Sequence, residues 1–215
     1  MYISKRGPRP DILLPVNYLA TRVQSPSEDD LKKFIKVLKY LNGSKDLVMR
    51  LYIGDDNVLY LYVDASYGVH SKGQSHTGSV LKYGLATIQV KSSKQKVVAK
   101  SSCESELIAA SDEAGQLLHM NEFLEAQGYS EENRVTTGVL FQDNQAAIKL
   151  EENGKKSSNR TKHISIRNFW IKDQIKLGKI EVRYLNTTEM IADLLTKPVQ
   201  GELFYKLRKL LMNEK

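Results

Sequence analysis

Apolar residues recur along this chain at two different periods, and the change between them organises it. Leu31, Phe34, Ile35, Leu38 and Leu41 lie at helical spacing, and Asn42-Gly43 supplies a stop. Ser25-Pro26-Ser27-Glu28 reads as the start of that helix, with Ser25 as N-cap, Pro26 in the first position and Glu28 closing a capping box. An earlier helix is predicted from Leu14 to Val23. Each of these helices has one apolar stripe and needs a surface to pack on. From Val48 the pattern shifts to short apolar runs. Val48 to Ile53 predicts a strand, Gly54-Asp55-Asp56-Asn57 a turn, and Val58 to Ala65 a second strand. Gly78 to Tyr83 and Leu85 to Val90 predict two more, joined at Gly84. Consecutive strands with tight turns imply an antiparallel meander.

Helical spacing then returns. Ser101-Ser102-Cys103-Glu104 fits a second capping box, and Leu107, Ala110, Ala114, Leu117 and Leu118 give one buried stripe that ends near Gly128. A strand over Val139 to Gln142 precedes a helix from Asn144 to Glu152. A basic segment, Lys155 to His163, leads to a helix from Ile164 to Leu177 and a strand from Ile180 to Leu185. Two short helices, Glu189 to Thr196 and Glu202 to Met212, flank Pro198. The order predicts an α/β fold: a mixed sheet with helices on its faces.

Composition narrows the classes. A chain of 215 residues suits one large or two small domains, and 41% hydrophobic residues can build a core. No apolar run approaches the roughly 18 residues that span a bilayer, so a membrane partner is not expected. Cys103 is the single cysteine, which excludes an internal disulfide and points to a reducing, intracellular compartment. The net charge of +7 is compatible with nucleic acid binding and equally with a solvated lysine-rich surface. Position says more than the total. Lys155, Lys156, Arg160, Lys162 and His163 are interleaved with small polar residues and no apolar one, which suits phosphate contacts or an exposed connector.

Four acids occupy telling places. Asp64 and Asp143 end the apolar runs Val58–Val63 and Val139–Phe141; Glu106 falls just inside a helix start; Asp193 lies on a short helix. Glu104 and Glu106 face nearly opposite sides of their helix, so only one can point at a shared site. Glu104 has a local role as cap partner, which leaves Glu106. Two carboxylates about 4 Å apart repel by roughly 4 kcal/mol at an effective dielectric of about 20. Acids that converge without a basic partner therefore need a hard divalent cation, Mg²⁺ first among them. Other chemistries fit worse. Gly54-Asp55-Asp56 is reminiscent of a polymerase palm but lacks a preceding strand with an aspartate, and turn chemistry explains it. His70 and His76 are placed in a polar hairpin loop and His119 in the packing of a helix. No zinc ligand spacing, nucleophilic triad or phosphate-binding loop is present.

The chain resembles a known family: the ribonuclease H domain of copia-type LTR retrotransposon Pol polyproteins. The resemblance is carried by Arg9-Pro10-Asp11-Ile12, Tyr62-Val63-Asp64-Ala65-Ser66, Ser101-Ser102-Cys103-Glu104-Ser105-Glu106-Leu107, Gln142-Asp143-Asn144-Gln145-Ala146-Ala147, Arg160-Thr161-Lys162-His163-Ile164 and Ala192-Asp193-Leu194-Leu195-Thr196-Lys197-Pro198. It implies a ribonuclease H-like mixed five-stranded sheet over residues 47–215, preceded by a helical tail of the reverse transcriptase over 1–46. It carries the catalytic, metal-binding acids onto Asp64, Glu106, Asp143 and Asp193, with two Mg²⁺ ions about 3.5–4 Å apart (Mn²⁺ as substitute). Asp64 would bridge the metals, and Asp193 would be the outermost ligand. The implied reaction is hydrolysis of the RNA strand of an RNA–DNA hybrid. The implied partners are that hybrid and the reverse transcriptase and integrase portions of the same polyprotein. The implied location is intracellular, in cytoplasmic virus-like particles and in the nucleus. A non-catalytic hybrid-binding or scaffolding module, inactive without its polymerase, is the alternative. Cys103 and Ser105 depart from the usual threonine and alanine, and no histidine lies between Leu185 and Asp193 to assist proton transfer.

Overall fold

The computed structural model describes residues 9–128, 137–153 and 162–214. Five strands form one sheet: β1 (Leu59–Ser66), β2 (His76–Tyr83), β3 (Ala86–Lys94), β4 (Gly138–Gln142) and β5 (Ile180–Tyr184). Their order is β3-β2-β1-β4-β5. The meander β1–β2–β3 is antiparallel, while β4 and β5 run parallel to β1. This is the ribonuclease H-like mixed sheet that the resemblance implies, with β1 at its centre. β1 and β4 pair Tyr62 with Phe141. Two residues further along each strand, on the same face, come Asp64 and Asp143. The register thus sets the two carboxylates side by side at the strand ends.

Helix α1 (Leu13–Ala20) follows a 3₁₀ turn at Pro10–Ile12; α2 spans Glu28–Gly43 and α3 spans Ser102–Ala126. Helices α4 (Gln145–Asn153) and α5 (Lys162–Lys176) connect β4 to β5. Two 3₁₀ turns, Thr187–Glu189 and Ile191–Leu195, lead to α6 (Gly201–Met212). Among the described residues, no helix is long and apolar enough to cross a membrane.

The sheet separates two cores. On one face, Leu61, Val63, Leu81 and Leu140 pack with Leu107, Ala110, Ala114 and Leu117 of α3 and Ile171 of α5. On the other, Val80 packs with Leu13 of α1, Ile191, Leu194 and Leu195 of the second 3₁₀ turn, and Leu207 and Leu211 of α6. The N-terminal segment is thereby built into the second core. Asn17 adds a hydrogen bond from Nδ2 to the Ser92 carbonyl at 2.7 Å. Arg9 and Tyr40 both bind buried Asp11, and Arg208 of α6 donates to the Tyr40 hydroxyl, which links α2 and the first 3₁₀ turn to the last helix.

Several local expectations are corrected. The α2 start is Ser27, not Ser25: the Ser27 hydroxyl accepts from the Asp30 N–H, and Asp30 accepts from the Ser27 N–H. Pro26 therefore lies outside the helix. The expected stripe Leu31, Phe34, Ile35 and Leu38 is 40–58% exposed, because α2 docks through Asp30 and Tyr40 on a different face. Residues 48–53 form no strand. They run along the C-terminal end of α6, where Arg50 N–H donates to the Met212 carbonyl and Asn213 donates to the Arg50 and Tyr52 carbonyls. The expected helix from Glu189 to Thr196 is a pair of 3₁₀ turns broken at Met190. His119 is exposed and not packed.

Candidate active site

Each of the four acids is delivered by a different element. Asp64 comes from the end of β1 and is 1% exposed. Asp143 follows β4 directly. The α4 cap role falls to Asn144, whose Oδ1 accepts the Ala146 and Ala147 N–H groups, which leaves the Asp143 carboxylate for other work. Glu106 lies in the second turn of α3. Ser101 caps that helix by accepting the Glu104 N–H, while Glu104 reaches back to the Lys100 N–H and not to Ser101. Glu104 is thus occupied locally, and Glu106 turns toward β1.

Asp64, Asp143 and Asp193 converge: one carboxylate oxygen from each lies within 4.8 Å of the others. Glu106 flanks them. Its Oε1 accepts the Ala65 N–H at 3.2 Å, and its Oε2 is buried with no hydrogen-bond partner. A buried, unpartnered carboxylate oxygen beside three gathered carboxylates fits a hard cation, which supplies the charge and ligand field that protein donors do not. Burial, then the charges of Asp64 and Asp143, raises Glu106 well above the ordinary glutamate range.

The site also holds a basic partner that the sequence reading did not include. The Lys197 ammonium bridges Asp64 Oδ1 at 3.0 Å and Asp193 Oδ1 at 2.9 Å. Burial disfavours the Lys197 charge, but Asp64 and Asp193 outweigh that and raise its pKa above the usual lysine value. The Thr196 hydroxyl donates to Asp64 Oδ2, and Ser66 Oγ donates to the Thr196 carbonyl at 3.1 Å. Thr187 Oγ1 donates to Asp143 Oδ2 at 3.0 Å. Asp193 was expected to be the outermost ligand. It is only 3% exposed and held by Lys197, whereas Asp143 is the more accessible acid.

Further polar side chains support these elements. Gln95 Nε2 donates to the Ser105 carbonyl and to Thr77 Oγ1, and Gln142 Nε2 donates to the Glu106 carbonyl, tying the start of α3 to the sheet. His76 opens β2 and is buried, not in a hairpin loop as expected. Ser92 Oγ donates to the Leu195 carbonyl, so Ser92 accepts from His76 Nε2, and His76 Nδ1 accepts from His70 Nε2. This chain of hydrogen bonds ends on the 3₁₀ turn that carries Asp193. Burial, then the neighbouring His70, lowers His76 to about 4, so it stays neutral near neutrality. Of the basic group, Lys155, Lys156, Arg160 and the side chains of Lys162 and His163 lie outside the described residues. The backbone of Lys162 and His163 begins α5, so the helix starts inside the segment read as a loop.

Burial, then the Asp64 charge, pushes Asp193 from 3.8 up to about 6, against the opposing pull of Lys197. On folding without metal Asp193 therefore takes up a proton between these values, and its own contribution to stability falls as pH rises from 3.8 to about 6. A cation between the acids removes that penalty and binds best when Asp193 is ionised. The rise in Tm on adding Mg²⁺ is thus expected to be small near pH 4 and to grow through about pH 6. Melting curves with and without metal check this; a metal shift that does not change with pH would refute it.

No protein-family model matches the chain. It is 30% identical over 203 residues to the retrovirus-related Pol polyprotein from transposon TNT 1-94 of Nicotiana tabacum, covering 94% of this chain and 15% of that polyprotein. It is 24% identical over 208 residues to the Ty1-JR2 Gag-Pol polyprotein of Saccharomyces cerevisiae, covering 95% of this chain and 11% of that one. The chain thus spans a small part of these relatives' length. Among solved structures, it is similar to LC11-RNase H1, isolated from compost, with a TM-score of 0.44 and 16% identity over 65% of this chain and 92% of that one.

Proposed function

Homologous over 91–95% of its length to segments of the Pol polyproteins of copia-type plant retrotransposons and yeast Ty1 elements, this chain is, we propose, their ribonuclease H portion. In this reading it is a metal-dependent endonuclease that hydrolyses the RNA strand of RNA–DNA hybrids during reverse transcription. The observation that carries it is the gathering of Asp64, Asp143 and Asp193 within 4.8 Å, beside the unpartnered Glu106 oxygen. Residues 1–46 would descend from the tail of the reverse transcriptase, and 47–215 would form the nuclease. The working partners would be the hybrid and the other portions of the polyprotein.

Asp64, Glu106, Asp143 and Asp193 would hold two Mg²⁺ ions. Bound there, the metals would activate a water molecule and stabilise the charge on the leaving 3′ oxygen. The protein's own part is to fix the ligands. β1 and β4 set Asp64 and Asp143 by strand register. Gln142 and Gln95 hold the start of α3, which carries Glu106, and the Ser92–Leu195 bond steadies the turn bearing Asp193. With no histidine between Leu185 and Asp193, the leaving oxygen would take its proton from solvent or from Glu189, which is more than half exposed nearby in the chain. Recognition of the hybrid would rest on duplex shape and the 2′-hydroxyls, since no base need be read. Lys155, Lys156, Arg160, Lys162 and His163 would track its phosphates.

A labelled RNA–DNA hybrid incubated with the chain and Mg²⁺ tests the reading. The expected result is cleavage of the RNA strand alone, abolished by EDTA, with DNA duplex and single-stranded RNA left whole. Binding of the hybrid without any cleavage, in Mg²⁺ and Mn²⁺ alike, would instead favour the scaffolding alternative.

A further inference from the structure

Lys197 is the one basic side chain that bridges two of the gathered carboxylates among the described residues. Its backbone is fixed: the Lys197 N–H donates to the Asp193 carbonyl at 2.9 Å, and its own carbonyl accepts from Val199 at 2.9 Å. Its side chain is not enclosed. Lys197 is 40% exposed, whereas Asp64 and Asp193 are 1% and 4% exposed. The four-carbon stem can therefore carry the ammonium out to water without moving the turn that holds Asp193.

The ammonium meets the same need that a metal would. Asp64, Glu106, Asp143 and Asp193 would otherwise face one another with no compensating charge. A divalent ion held by the three aspartates would need oxygens of Asp64 and Asp193, the pair that Lys197 already binds. Two cations sharing those oxygens repel each other, and the monovalent one on a flexible stem is the one that can leave.

We infer that Lys197 is the resident cation of the metal-free site, and that divalent metal binding expels its ammonium from between Asp64 and Asp193 into solvent. This rests on the reading of the acids as a metal site. Lys197 then acts as a positioning residue that keeps the ligands gathered before metal arrives. It also sets a threshold, because metal must break two ion pairs to enter. A closed form holding nine-tenths of the population would weaken apparent metal affinity by about tenfold.

The displacement is read directly on the unmodified protein. The full chain is acetylated briefly with an amine-reactive ester in EDTA or in saturating Mn²⁺, and modification at each lysine is read by mass spectrometry. Lys206, half exposed and ion-paired with Glu189 at 4.0 Å, not with the gathered carboxylates, is the internal reference. Lys197 is expected to react about tenfold faster with Mn²⁺ present, while Lys206 is unchanged. In parallel, calorimetry should show Lys197→Met binding Mn²⁺ about tenfold more tightly than the unaltered chain, with a lower Tm in EDTA. Mn²⁺ that binds yet leaves Lys197 acetylation unchanged or slower overturns the displacement and leaves the metal site standing. Weaker Mn²⁺ binding by Lys197→Met would likewise overturn it, since the lysine would then assist the metal. Failure of the unaltered chain to take up Mn²⁺ at all removes the metal reading and this inference together. Should Lys197→Met fail to fold, the acetylation result decides alone.

Discussion

Asp64→Asn and Asp143→Asn are each expected to slow Mg²⁺-dependent cleavage of an RNA–DNA hybrid by roughly 10³-fold or more, equivalent to about 4 kcal/mol of transition-state stabilisation. The amide keeps the size of the side chain and still presents one oxygen. It loses the negative charge that holds a divalent ion. Asp64 has the most to lose, because it lies on the central strand and accepts from both Thr196 and Lys197. Neither change should unfold the protein. In EDTA Asp143→Asn removes one of several mutually repelling charges, so its Tm should hold or rise, a common trade of stability against function; Asp64→Asn also gives up the buried ion pair to Lys197, so its Tm should fall. Cleavage by both variants within about tenfold of the unaltered chain, a difference of only ~1.4 kcal/mol, would overturn the site assignment.

Gly78→Ala should damage the fold and the site together. A methyl group at position 78 would lie 2.7 Å from Thr196 Cγ2, 2.8 Å from the Ala192 carbonyl oxygen and 2.9 Å from Leu195 Cβ. Gly78 pairs with Asp64 across β1 and β2, so the turn bearing Asp193 rests directly on the strand beside that acid. One of the three contacts is backbone, and relief requires the turn itself to move. Overpacking of this kind costs about 1–3 kcal/mol. The displacement should also weaken Mn²⁺ binding, since Asp193 moves with the turn. Gly115→Ala is the matched control. It sits inside α3 with nothing within 4 Å, and removing a helical glycine there should add about 0.5–1 kcal/mol. Chemical denaturation of both variants, with metal titrations alongside, checks the pair. A Gly78→Ala protein as stable as the unaltered chain would show that the turn can slide without cost.

The parts of this fold that were legible in the sequence are those set by local rules. The meander, the cap at Ser101 and the glycine after α3 follow from periodicity and from side chains acting on their nearest neighbours. The choice of Glu106 over Glu104 was also local, because one helix turn decides which acid is free. What could not be read depends on contacts distant in sequence. Val48 to Ile53 has the composition of a strand, yet its backbone is used by α6, more than 150 residues away. The apolar stripe of α2 obeys helical spacing, but Asp11 and Arg22, reached through Tyr40 and Asp30, decide which face turns inward. Lys197 was visible four residues after Asp193, at the spacing that joins ion pairs on a helix. Only the fold shows that the same ammonium also reaches Asp64, on a strand 133 positions earlier.

The second core bears on how such a chain can be rearranged over evolutionary time. Leu13 fills a place among Val80, Ile191, Leu194 and Leu207 that nothing after residue 46 supplies. A genetic exchange that grafted residues 47–215 onto a foreign upstream sequence would deliver the four acids intact but leave the Asp193 turn without one of its walls. Junctions upstream of Arg9 keep that wall, along with the Arg9–Asp11–Tyr40 links. The unit that can be inherited whole is therefore longer than the sheet with its covering helices, and its first helix travels with the four acids.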